Sequence, residues 1–288
     1  MNPPFFCSVA SRERGERIFG TASPVERWIL LEDRGSWNSA ALPDRNLSVE
    51  VLTSLRRAAR SMGKCRPLLI RRGHREAGAI HCFFVDSREG RTSVRRATFE
   101  RYEQFAELDP EHAGELWTEP LFLVCTHGRH DKCCALFGIP VYRALRKVFR
   151  SQTWECTHVG GDRFAANLVC LPHGLYYGHL LPAGGVAVAS AYQSGAMITD
   201  NYRGRSCYSK VAQVGEYIIR ARNSELSLNT LRLHSTEQSA DGTWTVRFED
   251  SSSAELLEAF FKEEKPLPGG LLTCCATENN TVRQFAVL

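Results

Sequence analysis

Leu121-Phe-Leu-Val-Cys125-Thr-His-Gly-Arg-His-Asp-Lys-Cys133-Cys134-Ala-Leu-Phe-Gly138 is the stretch on which the reading of this chain turns. An apolar run without polar alternation predicts a strand buried on both faces, and here it runs directly into Cys125. The loop that follows holds Cys133 and Cys134 and leads to a helix expected over residues 140–149, with Pro140 in its first turn. Downstream, residues 154–159 and 164–171 read as strands, Pro172-His-Gly174 as a turn, 175–180 as another strand and 210–220 as a helix. Upstream the same order is expected. Residues 28–32 form a strand, and Ser48 caps a helix with the apolar stripe Val51, Leu52, Leu55, Ala59 and Met62. Residues 67–71 and 80–85 are strands, and Phe99, Tyr102, Phe105 and Ala106 share one face of a second helix.

Two β-α-β-β-α units in succession predict an α/β fold built by tandem duplication, with units at residues 1–115 and 116–222. From residue 223 to 288 a small α+β extension is expected. It comprises a hairpin around Ala240-Asp-Gly242, a helix over 254–262, a break at 266–270 and a second hairpin around Asn279-Asn280. That second hairpin pairs residues 271–275 with 282–287.

The chain has 288 residues, 43% of them apolar and 24% charged, with a net charge of +4. These are ordinary globular values. No run of Lys and Arg exceeds two residues, so nucleic acid is not an expected partner. The most apolar stretch, residues 180–198, is interrupted by Pro182, glycines, serines and Gln193, and predicts no membrane span. Met1-Asn-Pro-Pro-Phe-Phe-Cys7 lacks a basic n-region, so no signal peptide is expected and the location is read as cytoplasmic. Eleven cysteines in a reducing compartment point to metal or redox chemistry rather than to staples. Thiols and imidazoles concentrate at Cys125–Gly138 and again at Cys156-Thr-His158-Val-Gly-Gly-Asp162, a donor set that selects iron–sulfur clusters, zinc or copper.

Together, Cys125-x8-Cys134-x3-Gly138, His158-Val-Gly-Gly-Asp162-Arg-Phe-Ala and Val169-x-Leu-Pro-His-Gly-x-Tyr-Tyr177-Gly178 resemble the sucrase/ferredoxin-like family, a branch of the thioredoxin-like [2Fe–2S] ferredoxins. Cys7-Ser-x-x-Ser11, Gly20-Thr-Ala22 and residues 28–32 carry the resemblance into the N-terminal part. It spans residues 7–220.

The resemblance implies a thioredoxin-like fold and a [2Fe–2S] cluster with Cys125 and Cys134 as two ligands. Cys134 is preferred to Cys133 because it starts the Cys-x3-Gly turn. Thioredoxin-like ferredoxins carry Cys-x3-Cys as the second pair, and fungal members of the family carry His-x3-His. The matching positions here are His158 and Asp162, and a carboxylate is a hard donor for a sulfide-bridged iron. Cys156, on the same strand face as His158, is therefore the first choice for the fourth ligand, giving Cys125, Cys134, Cys156 and His158; Asp162 is the alternative. Imidazole ligation moves reduction potentials up from about −400 mV towards the Rieske range of roughly −150 to +300 mV.

The reaction expected is one-electron transfer with a separate flavin-containing reductase, since no dinucleotide fingerprint appears. A zinc or thiol-redox protein on the same scaffold is the alternative: the four residues are a sound zinc set, although no Cys-x-x-Cys motif occurs. Sucrase activity is not expected, because no motif places a pair of carboxylates across a sugar pocket. Plainer roles stand beside these. Cys82 and Cys170 read as core, Cys133 as a bystander, His127 and His130 as loop residues, and Asp162-Arg163 as a loop-fixing ion pair. Cys65 and Cys207 carry no motif, and no role is assigned to Cys7 or Cys274-Cys275.

Overall fold

A computed structural model describes residues 4–39, 47–72, 78–268 and 270–288. The chain is mixed α/β, dominated by one large mixed sheet. Ten strands form it: β1 (Arg27–Glu32), β2 (Cys65–Arg71), β3 (Ile80–Asp86), β4 (Ser93–Phe99), β5 (Glu115–Leu116), β6 (Leu121–Cys125), β7 (Thr153–Cys156), β8 (Leu168–Leu171), β9 (Leu175–Tyr177) and β10 (Tyr202–Arg205). Their spatial order is β10-β9-β8-β6-β7-β2-β1-β3-β4-β5. Around the sheet lie α1 (Cys7–Glu13), α2 (Val49–Ser61), α3 (Lys132–Val148), α4 (Pro182–Gln193) and α5 (Lys210–Asn223).

Strand β6 shows why its sequence is an unbroken apolar run. Leu121, Leu123 and Cys125 enter one core cluster and Phe122 and Val124 another, so both faces are buried. It pairs parallel to β7 and antiparallel to β8. Strand β1 alternates likewise, with Trp28 and Leu30 in the first cluster and Ile29 and Leu31 against α2. It pairs parallel to β2 and antiparallel to β3. The neighbour orders β2-β1-β3-β4 and β7-β6-β8-β9 are therefore alike, and they meet where β2 runs antiparallel to β7, with Ile70 opposite Cys156.

Several elements depart from the sequence reading. Helix α3 begins at Lys132 rather than Pro140, because the Asp131 side chain caps it by accepting the Cys133 N–H at 2.8 Å. Cys133 and Cys134 thus sit in the first helical turn, and Pro140 is carried inside the helix. The helix expected around Phe99 is the strand β4 followed by a 3-10 turn at Tyr102–Glu107. Its Val94 points to the core while Arg95 and Arg96 are only partly buried, a pattern that hides a strand. The strand expected over residues 164–171 is confined to β8, preceded by a 3-10 turn at Asp162–Phe164. Residues 182–193, not anticipated as a helix, form α4, with Pro182 in its first turn. Gly185 lets it lie against α3, since a Cβ there would meet Val141 at 2.7 Å. Helix α1 was also not anticipated.

The C-terminal part is a β-sheet rather than α+β. Strands β11 (Leu231–Gln238), β12 (Thr243–Asp250) and β13 (Leu256–Glu263) run antiparallel, with the expected hairpin between the first two. The helix expected over 254–262 is β13: Ala259 and Phe261 point inward while Glu258 and Phe260 face out, which is period two. The second expected hairpin does not form. Instead β14 (Leu267–Pro268) pairs with β15 (Thr281–Val282), and β16 (Phe285–Val287) joins β13, leaving residues 271–276 as a loop. Helix α5 supplies the inner layer, approaching so closely at Gly215 that a Cβ would meet Val246 at 2.5 Å.

One close approach positions everything that follows. Helix α3 crosses the end of β6 at Gly138, where a Cβ would fall 2.2 Å from the carbonyl oxygen of Cys125. The expected outcome for Gly138→Ala is a loss of about 1–3 kcal/mol of stability in chemical denaturation, because the obstacle is backbone and cannot turn aside. An unchanged denaturation midpoint would contradict this packing.

Candidate metal centre

Two walls face each other at the C-terminal end of β6. One holds Cys125, the last residue of that strand, and Cys134, in the first turn of α3. The other is the loop after β7, with His158 and, opening the 3-10 turn, Asp162. The ligand atoms of Cys125, Cys134 and His158 all lie within 4.8 Å of one another, and so do those of His130, His158 and Asp162. His158 belongs to both groups and joins them. An Asp162 oxygen lies 3.0 Å from His158 Nδ1 and accepts from the Cys134 thiol at 3.3 Å. The rings of His130 and His158 stack at 4.0 Å.

Of the residues singled out in the sequence, Cys125, Cys134, His158 and the alternative Asp162 converge. Cys156 is buried beside Cys125 on the neighbouring strand but does not join either group of ligand atoms. Asp162 and Arg163 each take other partners, Arg163 binding Glu16 at 2.6 Å. His127 is no solvated loop residue: it is buried, with Nε2 bonded to the Asn38 carbonyl. Cys82 and Cys170 lie in the core as expected.

Electrostatics divides the pair of thiols. The Cys134 thiol, followed by His158, holds Cys125 well below an ordinary thiol in spite of its burial. Cys134, next to that sulfur and shielded from water, is pushed well up. Burial alone would lower His158, but Asp162 and Cys125 outweigh it and lift the imidazole to about 9. Burial would raise Asp162, and His158 reverses this and holds it below the usual carboxylate value. The site is thus a thiolate, a thiol, an imidazolium and a carboxylate, all buried or nearly so, and a metal would bind in place of the imidazolium proton. His158 Nδ1 is buried and, though close to Asp162, is not aligned for a hydrogen bond. Two sulfurs beside an imidazole that can give up its proton, with a carboxylate 3.0 Å away, suit a soft or borderline metal.

The histidine wall is held by residues that carry no motif. Gly160 and Gly161 have φ of +99° and +83°, and Cβ atoms there would meet Ser23 Oγ at 2.4 Å and an Arg203 nitrogen at 2.5 Å. Arg203 is fully buried and donates to the Gly160 carbonyl at 3.0 Å, to Asn167 Oδ1 at 2.7 Å and to the Thr21 carbonyl at 2.7 Å. Asn167 donates to the Gly161 carbonyl at 2.8 Å, while its own carbonyl accepts the Cys125 N–H at 3.1 Å. Asn167 therefore touches both walls. Arg203 comes from β10, far along the chain, and the only trace of this clamp in the sequence is the Gly-Gly pair that needs a close neighbour.

A profile described as Sucrase/ferredoxin-like matches residues 18–204. The chain is also similar to "Altered inheritance of mitochondria protein 32" of Meyerozyma guilliermondii, 31% identical over 98 residues. That match covers 30% of this chain and 35% of the relative, so the chain spans about a third of that protein's length. No solved structure matches.

The clamp makes a prediction. Arg203→Lys keeps the charge but not the planar fork, stranding buried acceptors, and is expected to cost on the order of 2 kcal/mol or more in denaturant unfolding. Wild-type stability in that variant would show that the glycine pair is held by something else.

Proposed function

The chain belongs to the sucrase/ferredoxin-like family, and from that premise we propose that it is an iron–sulfur protein that binds a [2Fe–2S] cluster and transfers one electron at a time. The observation that carries this reading is the convergence of Cys125, Cys134 and His158 at a buried site. Cys125 and Cys134 would hold one side of the cluster and His158 with Asp162 the other. Asp162 is preferred to Cys156 as the fourth ligand because its carboxylate already touches both His158 and Cys134. A carboxylate is the harder donor, so the preference for Asp162 rests on its position against His158 and Cys134. When bound, the cluster supplies a one-electron couple, and replacing thiolates by imidazole and carboxylate sets its potential above that of thiolate-ligated ferredoxins.

This chain's own residues would do the rest. Arg203 and Asn167 fix the loop that presents His158 and Asp162, and the sulfur side is shut away in the core. His158 and His130 retain 17% and 29% side-chain exposure, making the stacked imidazoles the edge that faces a partner. A flavin-containing reductase is the proposed electron donor, since no dinucleotide fingerprint occurs in the sequence. The like strand orders β2-β1-β3-β4 and β7-β6-β8-β9 support a tandem pair of thioredoxin-like units, the second carrying the site. No helix among the described residues is long and apolar enough to cross a membrane. A cytoplasmic location is proposed because free thiols of this number persist in reducing compartments.

A second reading, zinc on the same residues, is favoured by how closely the Cys125, Cys134 and His158 ligand atoms approach one another. Anaerobic purification with iron and labile-sulfide analysis, visible absorption and EPR after dithionite separates the two. The expected result is a red-brown protein with a rhombic signal, retained in Cys156→Ser and lost or shifted in Asp162→Ala. Loss of the signal in Cys156→Ser with no change in Asp162→Ala would overturn the fourth ligand. A colourless protein with zinc in place of iron would overturn the cluster.

A further inference from the structure

Cys133 and Cys134 are adjacent in sequence but enter different clusters, Cys134 the main core and Cys133 a separate pocket with Cys7 and Ala165. That second pocket gathers residues from three distant parts of the chain. Cys7 opens α1, Asp131 and Cys133 begin α3, and Cys274 comes from the loop between β14 and β15. The ligand atoms of all four lie within 4.8 Å of one another. Cys133 and Cys274 sulfurs are 3.3 Å apart, Cys274 and Cys7 sulfurs 3.6 Å, and the Cys7 sulfur is 3.7 Å from both Asp131 oxygens.

We propose that Cys7, Cys133, Cys274 and Asp131 form a structural zinc site, distinct from the centre at Cys125 and Cys134. Three thiols and a carboxylate on one tetrahedral zinc, at its usual bond lengths, stand about 3.6–3.8 Å apart. The spacing here is close to that before any ion is added. The carboxylate is already aimed, since its two oxygens accept the N–H groups of Cys133 at 2.8 Å and Cys274 at 2.6 Å. Without an ion the grouping is hard to justify, because Cys7, Cys133 and Asp131 are shut away from water and thiols are weak hydrogen-bond donors. A disulfide between Cys274 and either buried sulfur would leave the other thiol buried near the carboxylate. Three sulfurs with one oxygen, three of the four ligands buried and the fourth half-buried, match a closed, non-catalytic zinc set. Zinc there would tie α1 and the C-terminal loop to the first turn of α3. It would thereby hold the residue that follows Cys133, which is Cys134 of the first centre.

The test uses the full chain. Zinc and iron are quantified by mass spectrometry after gel filtration in EDTA, in the wild type and in a Cys125→Ser/Cys134→Ser variant that lacks the first centre. The expected result is one zinc ion per chain in the double variant, and that outcome is the same whether the first centre of the wild type holds iron or zinc. Cys274→Ser, in a half-buried loop position, is expected to lose that zinc while keeping its far-UV circular dichroism. Cobalt(II) added to the zinc-stripped Cys125→Ser/Cys134→Ser variant should give intense tetrahedral d–d and thiolate charge-transfer bands, which Cys274→Ser abolishes. Zinc content unaffected by Cys274→Ser would overturn the proposal. So would a metal-free double variant whose cysteines react freely with a thiol reagent, or one with a Cys133–Cys274 disulfide in its peptide map.

Discussion

The contact of α3 with the end of β6 constrains the rest of the site. At Gly138 the helix backbone lies where only a hydrogen can face the carbonyl of Cys125, so helix and strand have one depth of approach. That depth places the first turn of α3, capped by Asp131, beside the last residue of the strand. Cys125 and Cys134 meet because the Cys-x3-Gly spacing puts the glycine one helical turn beyond the second thiol, on the side that touches the strand. A larger residue at Gly138 would separate both the elements and the sulfurs.

The opposite wall obeys a different logic. His158 and Asp162 stand on a loop containing two glycines with positive φ, and such a loop has no rigidity of its own. Its shape comes from Arg203 and Asn167, which occupy the space that side chains at Gly160 and Gly161 would need. Burying an arginine is expensive unless its fork is filled, and here it is filled by carbonyls and an amide rather than by a carboxylate. The result is one wall set by secondary structure and another set by a buried polar network, with Asn167 bonded to both. This gives a stiff site whose imidazole edge alone approaches solvent.

Much of this was legible in the chain and some was not. Strands β1, β3 and β6 are legible because each is an apolar run buried on two faces. The motifs single out Cys125, Cys134 and His158, but they favour Cys156 over Asp162 as the fourth residue, and it is Asp162 that lies against His158. Pro140 is a strong helix-start marker and hides the true start of α3, because the capping Asp131 lies among residues that read as loop. Strand β13 reads as a helix in sequence although its inward residues Ala259 and Phe261 repeat every two. Arg203 gave no signal at all, since a buried guanidinium is defined by acceptors that come together only in three dimensions. The sequence assigns no role to Cys7 or Cys274 for the same reason: their common partner, Asp131, lies between them in sequence but far from each.

The account rests on the proposal that a [2Fe–2S] cluster is held between Cys125, Cys134, His158 and Asp162. Crystals of anaerobically purified protein, with anomalous data collected on either side of the iron and zinc edges, would answer this directly. The account predicts a pair of iron peaks between the two walls, one beside the two sulfurs and one beside His158 and Asp162. A single zinc peak there, or iron bound through Cys156 with Asp162 turned away, would contradict it.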